Sequence, residues 1–178
     1  MHIATGIGRK RQTGFTLTEL MIATIVLLVG LIAVAQLVPA SIGSNSVNRN
    51  DSTALVFAQR ELEQMIEQPL ISNSFTDAQG FLCSLGNSAL PNQVVGNPVT
   101  VLNNMTAIDF SAGPVAGYNF SYQDPNDPYG ITYDVRWAVI TTVNAGGSVA
   151  ARRFILGARK SGGNGFSPAV TLDTMVEK

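Results

Sequence analysis

The strongest pattern in the sequence is an apolar run near the N-terminus. Residues 15–38 are almost wholly apolar, and residues 20–35 at the centre of the run carry no charged side chain. A helix over this run is about 36 Å long, which is enough to cross the roughly 30 Å hydrocarbon core of a bilayer. The run therefore predicts one membrane-spanning helix.

A second helical pattern follows. Pro39 ends the apolar run and predicts a kink or interruption, because proline removes a backbone hydrogen bond. Residues 54–68 return to a helical period, and Pro69 ends it. The predicted apolar face comprises Leu55, Ala58, Leu62, Met65 and Ile66, and the predicted polar face comprises Gln59, Arg60, Glu61, Glu63, Gln64 and Glu67. This half of the helix is expected to cover a core.

The second half of the chain reads as β-structure. Runs rich in β-branched and aromatic residues are separated by turn sequences at residues 124–130 and 144–148. The main predicted strands are residues 118–122, 131–143 and 149–158, with an edge strand near residues 170–172. Shorter strand candidates are residues 94–95, 99–102 and 107–110. In residues 131–143, Tyr133, Val135, Trp137 and Val139 alternate with other residues, which indicates one face on a core.

These elements predict an α+β fold, in which a long N-terminal helix packs on a small antiparallel sheet. The predicted segments are a basic leader (1–14), a membrane-spanning half-helix (15–38), an amphipathic half-helix (39–68), a loop-rich connection with short strands (69–116) and a β-meander with a C-terminal tail (117–178).

The distribution of charge predicts how the chain is oriented in the membrane. Only 13% of the residues are charged, against a typical value of about 25%. Arg9, Lys10 and Arg11 stand together before the apolar run, and positive charge on that side predicts a cytoplasmic N-terminus. No other basic cluster with interleaved aromatic residues is present in the sequence, so no nucleic-acid partner is predicted.

The cysteine and histidine content limits the kinds of chemical site that the chain is able to form. Cys83 is the only cysteine and His2 the only histidine, which excludes an intramolecular disulfide, Cys-His chemistry, a Ser-His-Asp triad and a histidine-based metal site. Asp109, Asp124 and Asp134 are scattered acids without a catalytic pattern. We therefore expect no catalytic residue, no metal and no cofactor, with Cys83 as a small buried residue or a loop thiol.

The N-terminal residues carry a family resemblance. The sequence Lys-Arg-Gln-Thr-Gly-Phe-Thr-Leu-Thr-Glu-Leu (10–20) resembles the class III signal peptide of type IV prepilins and type II secretion pseudopilins. The resemblance is close over residues 9–38 and lies in the architecture beyond them. It implies that a prepilin peptidase cuts after Gly14 and methylates the new amino terminus at Phe15. Glu19 is then the fifth residue of the mature chain.

Glu19 needs an explanation on physical grounds as well. An acidic side chain costs on the order of 2.5–3.5 kcal/mol at the centre of a membrane span. The amino terminus at Phe15, one helical turn away, could pair with Glu19 in the same subunit or in a neighbour, and such a pair would fix the register of the helices. The alternative is an acidic residue that the dipole of an ordinary helix N-terminus favours.

The resemblance implies a structural subunit and not an enzyme. It is closest to a minor pilin, because many major pilins carry a C-terminal disulfide loop that one cysteine cannot form. A minor pseudopilin of a type II secretion system is the second reading. The implied partners are the prepilin peptidase, other pilin subunits, the inner membrane and a pilus assembly platform. The implied location is the inner membrane, with a periplasmic head, followed by a pilus or pseudopilus.

Two other interpretations remain open from the residues alone. Ala33-Val34-Ala35 before Gln36 has the small-x-small pattern of an ordinary signal-peptide site, which would release a periplasmic domain. Glu19 and the amphipathic helix that continues the span count against it. A membrane-anchored periplasmic hydrolase is the other alternative, and the lack of histidine after His2 counts against that one.

Overall fold

The computed structural model describes residues 14–123, 130–161 and 169–177, apart from the side chains of residues 46 and 47. These residues form one helix and nine strands: α1 (Leu17–Glu67), β1 (Ser74–Thr76), β2 (Leu82–Ser84), β3 (Val94–Gly96), β4 (Val99–Leu102), β5 (Met105–Ile108), β6 (Asn119–Gln123), β7 (Thr132–Val143), β8 (Val149–Lys160) and β9 (Val170–Glu177). The chain divides into two compact units, residues 1–45 and residues 46–178.

Helix α1 is 51 residues long and has Pro39 in its interior. The sequence predicted one long helix in two halves that meet at Pro39 and left its continuity there open, and α1 continues through Pro39 and the polar residues that follow. Ser52 and Thr53 donate their hydroxyl hydrogens to backbone carbonyl oxygens four residues earlier, at 2.8 and 2.9 Å. These bonds satisfy the polar side chains within the helix. The predicted kink at Pro39 stays a prediction.

Five strands form an antiparallel sheet, with β7 and β8 at its centre. Strand β8 pairs with β7 on one side and with β9 on the other. The second edge of β7 pairs with β6 through residues 132–136 and with β3 through residues 138–140. The predicted antiparallel meander is thus confirmed, and the edge strand predicted near residues 170–172 is β9.

Two hairpin turns rest on asparagine. Asn144 Oδ1 accepts hydrogen bonds from the backbone N–H groups of Gly146 and Ser148, both at 3.0 Å, which confirms the turn predicted between β7 and β8. Asn103 and Asn104 join β4 to β5 with φ angles of 50° and 63°, a left-handed conformation that asparagine tolerates. The turn predicted at residues 124–130 lies outside the described residues, except for Gly130.

Strand β7 is covered on both faces, although the sequence predicted a single core face. Its side chains in the larger core are Tyr133, Val135, Trp137 and Val139. Trp137 is fully buried there, and its indole N–H donates to the carbonyl oxygen of Ser84 at 2.8 Å. On the other face, Ala138 packs in a second cluster with Ile108 of β5 and Ile155 of β8. The β4–β5 hairpin therefore adds a layer that the sequence pattern did not reveal.

The buried stripe of α1 also differs from the predicted one. Its buried side chains are Asn50, Ala54, Phe57, Ala58, Glu61 and Met65, at spacings of three and four. Leu55 is only partly buried. The sequence placed Glu61 on the polar face, and this was wrong, because Glu61 follows Ala58 by three residues and precedes Met65 by four. Helical geometry therefore puts its side chain on the buried stripe.

Candidate functional site

The residues that the resemblance marks for processing lie at the start of the described chain. Arg9, Lys10 and Arg11 lie outside the described residues. Gly14 and Phe15 are both exposed, and the Phe15 side chain is 90% accessible. A Cβ added at Gly14 would meet no described atom within 4 Å. Among the described residues, nothing covers the peptide bond between Gly14 and Phe15.

Glu19 caps the start of α1. Its Oε2 accepts hydrogen bonds from the backbone N–H and the hydroxyl of Thr16, both at 3.0 Å. The Thr16 Oγ1 in turn accepts from the backbone N–H of Glu19 at 3.3 Å. This reciprocal pair is a capping box, which satisfies backbone donors that a helix N-terminus leaves unpaired. The Thr-x-x-Glu spacing in the sequence is its signature, and the sequence analysis did not use it.

The first part of α1 has an apolar surface on every side. All residues from 14 to 45 are exposed in the structure, and an 18-residue window of this segment has a mean hydropathy of 2.7. By length and composition, α1 is the one described helix that is able to cross a membrane. An apolar helix without a polar face requires lipid or other helices around it, because water solvates it poorly.

A group of polar side chains is buried in the unit of residues 46–178. It consists of Glu61 on α1, Asp77 in the turn between β1 and β2, and Cys83 on β2. One oxygen or sulfur atom from each residue lies within 4.8 Å of the other two. Glu61 and Cys83 are fully buried, and Asp77 is 6% exposed. The thiol of Cys83 donates to Oε1 of Glu61 at 3.3 Å.

Backbone hydrogen bonds hold Asp77 in place. Its Oδ1 accepts from the N–H groups of Gln79 and Phe81, at 2.9 and 2.6 Å. The neighbouring N–H of Ala78 donates to the side-chain oxygen of Gln64 on α1, at 2.8 Å. The turn is therefore attached to the helix directly beside the cluster, and Oδ2 of Asp77 is left without a backbone partner.

The cluster has unusual electrostatics. Burial is the main cause that raises the pKa of the Glu61 carboxyl to about 7, and the nearby Asp77 carboxylate adds to the rise. Burial also raises the pKa of the Cys83 thiol above its ordinary value, and Glu61 contributes to that shift. Among the described residues, no N–H, O–H or S–H group donates to Oε2 of Glu61 or Oδ2 of Asp77, and the two carboxyl groups are able to share a hydrogen bond when one of them is protonated. These three side chains are able to hold protons or a cation.

The pattern of residues in the sequence did not indicate this cluster, and no metal site was expected. Glu61 looked like a solvated residue, Asp77 lies in a Ser- and Asn-rich segment, and Cys83 was expected only to be buried or in a loop. The single usable signal was the position of Glu61 on the same helical stripe as Ala58 and Met65.

The scattered acids have structural roles where they are described. Asp134 pairs with Arg136 at 2.8 Å, and Nη1 of Arg136 donates to the carbonyl oxygen of Ala112 at 2.7 Å. Asp109 accepts hydrogen bonds from the hydroxyl and backbone N–H of Ser111, and these bonds lower the pKa of Asp109. The structure does not bring Asp109 and Asp134 into the buried cluster, and Asp124 lies outside the described residues.

Comparison with known proteins identifies the N-terminal segment. Residues 9–35 match the family model of the prokaryotic N-terminal methylation motif, so the chain carries the type IV prepilin-like signature. With α1 and the antiparallel sheets, this match supports a type IV pilin-like or pseudopilin-like subunit. No curated protein and no solved structure matches the chain.

We expect the Cys83 thiol to be unreactive in the folded protein. The thiolate is the nucleophile, and both burial and a raised pKa suppress it. Alkylation with a maleimide at pH 8 should be at least about 100-fold slower in native detergent solution than in urea, because exposure and ionisation both fall. Mass spectrometry measures the modified fraction, and one thiol per chain in urea is the control. Equal rates in both conditions would contradict the buried position of Cys83.

Proposed function

We propose that this chain is a minor pilin, a structural subunit of a type IV pilus and not an enzyme. The observation that carries the proposal is the prepilin-like motif at residues 9–35, which includes the start of an apolar helix whose residues up to 45 are all exposed. Such a helix is suited to two environments in turn, the inner membrane and the helix-packed interior of a filament.

Processing would come first. The basic residues Arg9, Lys10 and Arg11 would keep the N-terminus in the cytoplasm, with residues 46–178 in the periplasm. The prepilin peptidase would then remove residues 1–14 by cutting after Gly14 and would methylate the amino group of Phe15. The exposure of Gly14 and Phe15 in the structure supports access of the peptidase to this bond.

Assembly would follow. A pilus assembly platform would move the subunit from lipid to the filament, where other apolar helices replace the lipid tails. This exchange is nearly balanced in hydrophobic free energy, since lipid tails are about as apolar as leucine. Polar contacts would therefore have to set the register. The carboxylate of Glu19 would pair with the amino terminus of Phe15 in a neighbouring subunit and fix the axial position of each helix.

The assignment as a minor subunit rests on the lack of a second cysteine. The single Cys83 cannot close the C-terminal disulfide loop that many major pilins carry, as the resemblance implies. A minor pseudopilin of a type II secretion system is the second candidate, because the same motif and the same kind of helix serve that machine.

Processing predicts a defined mass. The chain purified from its native membranes should lack residues 1–14 and should carry one additional methyl group on Phe15, as read by intact-mass spectrometry. Gly14→Val should leave the leader attached, because the peptidase cuts after glycine. The structure has open space at Gly14, so the variant should not disturb the fold. Gly43→Ala, also in open space, is the control and should be processed normally. A product starting at Gln36 would contradict the proposal.

Two variants separate the two roles of Glu19. Glu19→Gln keeps a capping side chain at the helix start but removes the charge that pairs with the amino terminus. Thr16→Val removes the partner hydroxyl of the capping box but keeps the charge. We expect the leader to be removed in both variants. Incorporation into filaments should fall about tenfold or more for Glu19→Gln and little for Thr16→Val, because the attraction between the Glu19 carboxylate and the amino terminus depends on charge. Immunoblots of sheared filaments measure incorporation, and the reverse order would contradict the register role.

The abundance of the chain and the effect of deleting its gene distinguish a minor pilin from a main pilus subunit and from a pseudopilin. Quantitative mass spectrometry of sheared pili should find this chain at a few per cent or less of the main subunit, since a minor pilin primes or caps assembly. Deletion of its gene should remove most surface pili, and the wild-type gene should restore them. If the chain is the main subunit, or if deletion leaves pili intact and stops protein secretion, the minor-pilin assignment is wrong.

A further inference from the structure

We propose that Glu61, Asp77 and Cys83 form a binding site for one divalent transition-metal ion, with zinc as the preferred ion. The site would connect α1 to the β1–β2 hairpin through side chains from both. It lies within residues 46–178, and it goes beyond the proposed role in a pilus, which depends on residues 9–38.

The spacing of the three donor atoms fits such an ion. In a tetrahedral zinc site, Zn–S bonds of about 2.3 Å and Zn–O bonds of about 2.0–2.2 Å leave the sulfur and oxygen ligands roughly 3.6 Å apart. In the structure, Sγ of Cys83 lies 3.3 Å from Oε1 of Glu61, and all three donors lie within 4.8 Å of one another. The separation of the sulfur from the Glu61 oxygen is therefore close to the value that one tetrahedral ion requires.

The unpartnered oxygens point to a ligand at this position. Oε2 of the fully buried Glu61 and Oδ2 of the 6% exposed Asp77 find no N–H, O–H or S–H donor from another described residue, and the two carboxyl groups are close enough to share a hydrogen bond when one of them is protonated. A buried carboxylate without a partner is costly, and a cation between two such groups removes that cost. The other oxygen of Asp77 already accepts two backbone hydrogen bonds, which orient the carboxylate as outer partners orient metal ligands.

The donor types select the class of metal. Calcium and magnesium take oxygen ligands, so the sulfur of Cys83 disfavours both. Zinc and its neighbours in the first transition row accept a thiolate together with carboxylates. Two carboxylates and one thiolate carry three negative charges, which a divalent ion and the nearby Arg60 would balance. The Arg60 guanidinium packs over the rings of Phe57 and Tyr122, at 5.5 and 5.0 Å from their centroids.

Proton balance defines the binding step. Without the ion, the Cys83 thiol carries one proton. The Glu61 carboxyl carries a second proton in the fraction of molecules in which it is neutral. On binding, the metal forms bonds to the sulfur and to the carboxylate oxygens, and these protons pass to the solvent. Binding should therefore tighten as pH rises, which is general for sites with protonated ligands. The competing arrangement is a proton shared between Glu61 and Asp77, with no metal.

The test uses the full chain in detergent after treatment with a chelator. We expect Co²⁺ to bind at about one ion per chain, with a near-ultraviolet sulfur-to-cobalt charge-transfer band, and Zn²⁺ to displace it, because a thiolate is among the ligands. Cys83→Ser should remove the band, and Glu61→Gln should weaken binding at least about tenfold, since each removes an anionic ligand. Glu63→Gln, an exposed change on the same helix, is the matched control and should bind as the unaltered chain does.

A second measurement uses the unaltered chain, so its outcome does not depend on whether the variants fold. In the unaltered chain, Zn²⁺ should raise the thermal unfolding temperature, followed by the fluorescence of Trp137, and should slow alkylation of Cys83 under partly denaturing conditions. If the unaltered chain takes up neither Co²⁺ nor Zn²⁺, or if uptake persists in both folded ligand variants, the metal site does not exist. The shared proton then accounts for the cluster.

Discussion

Helix α1 forms its backbone hydrogen bonds within its own segment, apart from the donor that Pro39 lacks, and this property allows one helix to combine an apolar, exposed part with a part that packs in a core. Over residues 15–38 the side chains are almost all apolar, as hydrocarbon surroundings require. From Asn50 to Met65 only one stripe is buried, and its apolar members (Ala54, Phe57, Ala58 and Met65) pack in the larger core with residues of the sheet. The transition between the two regimes needs no change of secondary structure. The hydroxyl-to-carbonyl bonds of Ser52 and Thr53 show how the helix itself satisfies polar side chains at the start of its second part.

The sheet that receives the second part of α1 is organised around β7. This strand has hydrogen-bonded neighbours along both edges and apolar side chains on both faces. The two hairpins outside the main sheet occupy different places. Residues of β4 and β5 supply the second core through Val99 and Ile108, whereas β2 brings Cys83 and Leu85 beside it into the larger core. The buried polar cluster is thus a consequence of how a short hairpin meets a helix, and it occupies the larger core rather than an open cleft.

The sequence made the long elements predictable because each repeats one physical requirement many times. Apolar residues follow one another over residues 15–38, and β-branched and aromatic residues recur along β7 and β8, as is typical of packed strands. The elements that were not predicted are short and carry no run of β-branched residues such as Val94-Val95 of β3: β1 and β2 have three residues each, and the turn at Asn103–Asn104 has two. Glu61 escaped for a different reason. A charged residue on the stripe of an amphipathic helix reads as solvated until a partner such as Cys83 is known, and that partner lies 22 positions away in the sequence.

Because the strands differ in length and in the number of paired edges, they are expected to differ in local stability. Strand β7 is paired along both edges, so its central amide hydrogens should exchange with solvent only when the whole unit unfolds. The β1–β2 hairpin is held by three residue pairs, the bond from Ala78 to Gln64 and the hydrogen bonds around Asp77. Segments with few bonds open first in native-state fluctuations. Opening of this hairpin is therefore the expected route by which solvent reaches Cys83, the only thiol in the chain.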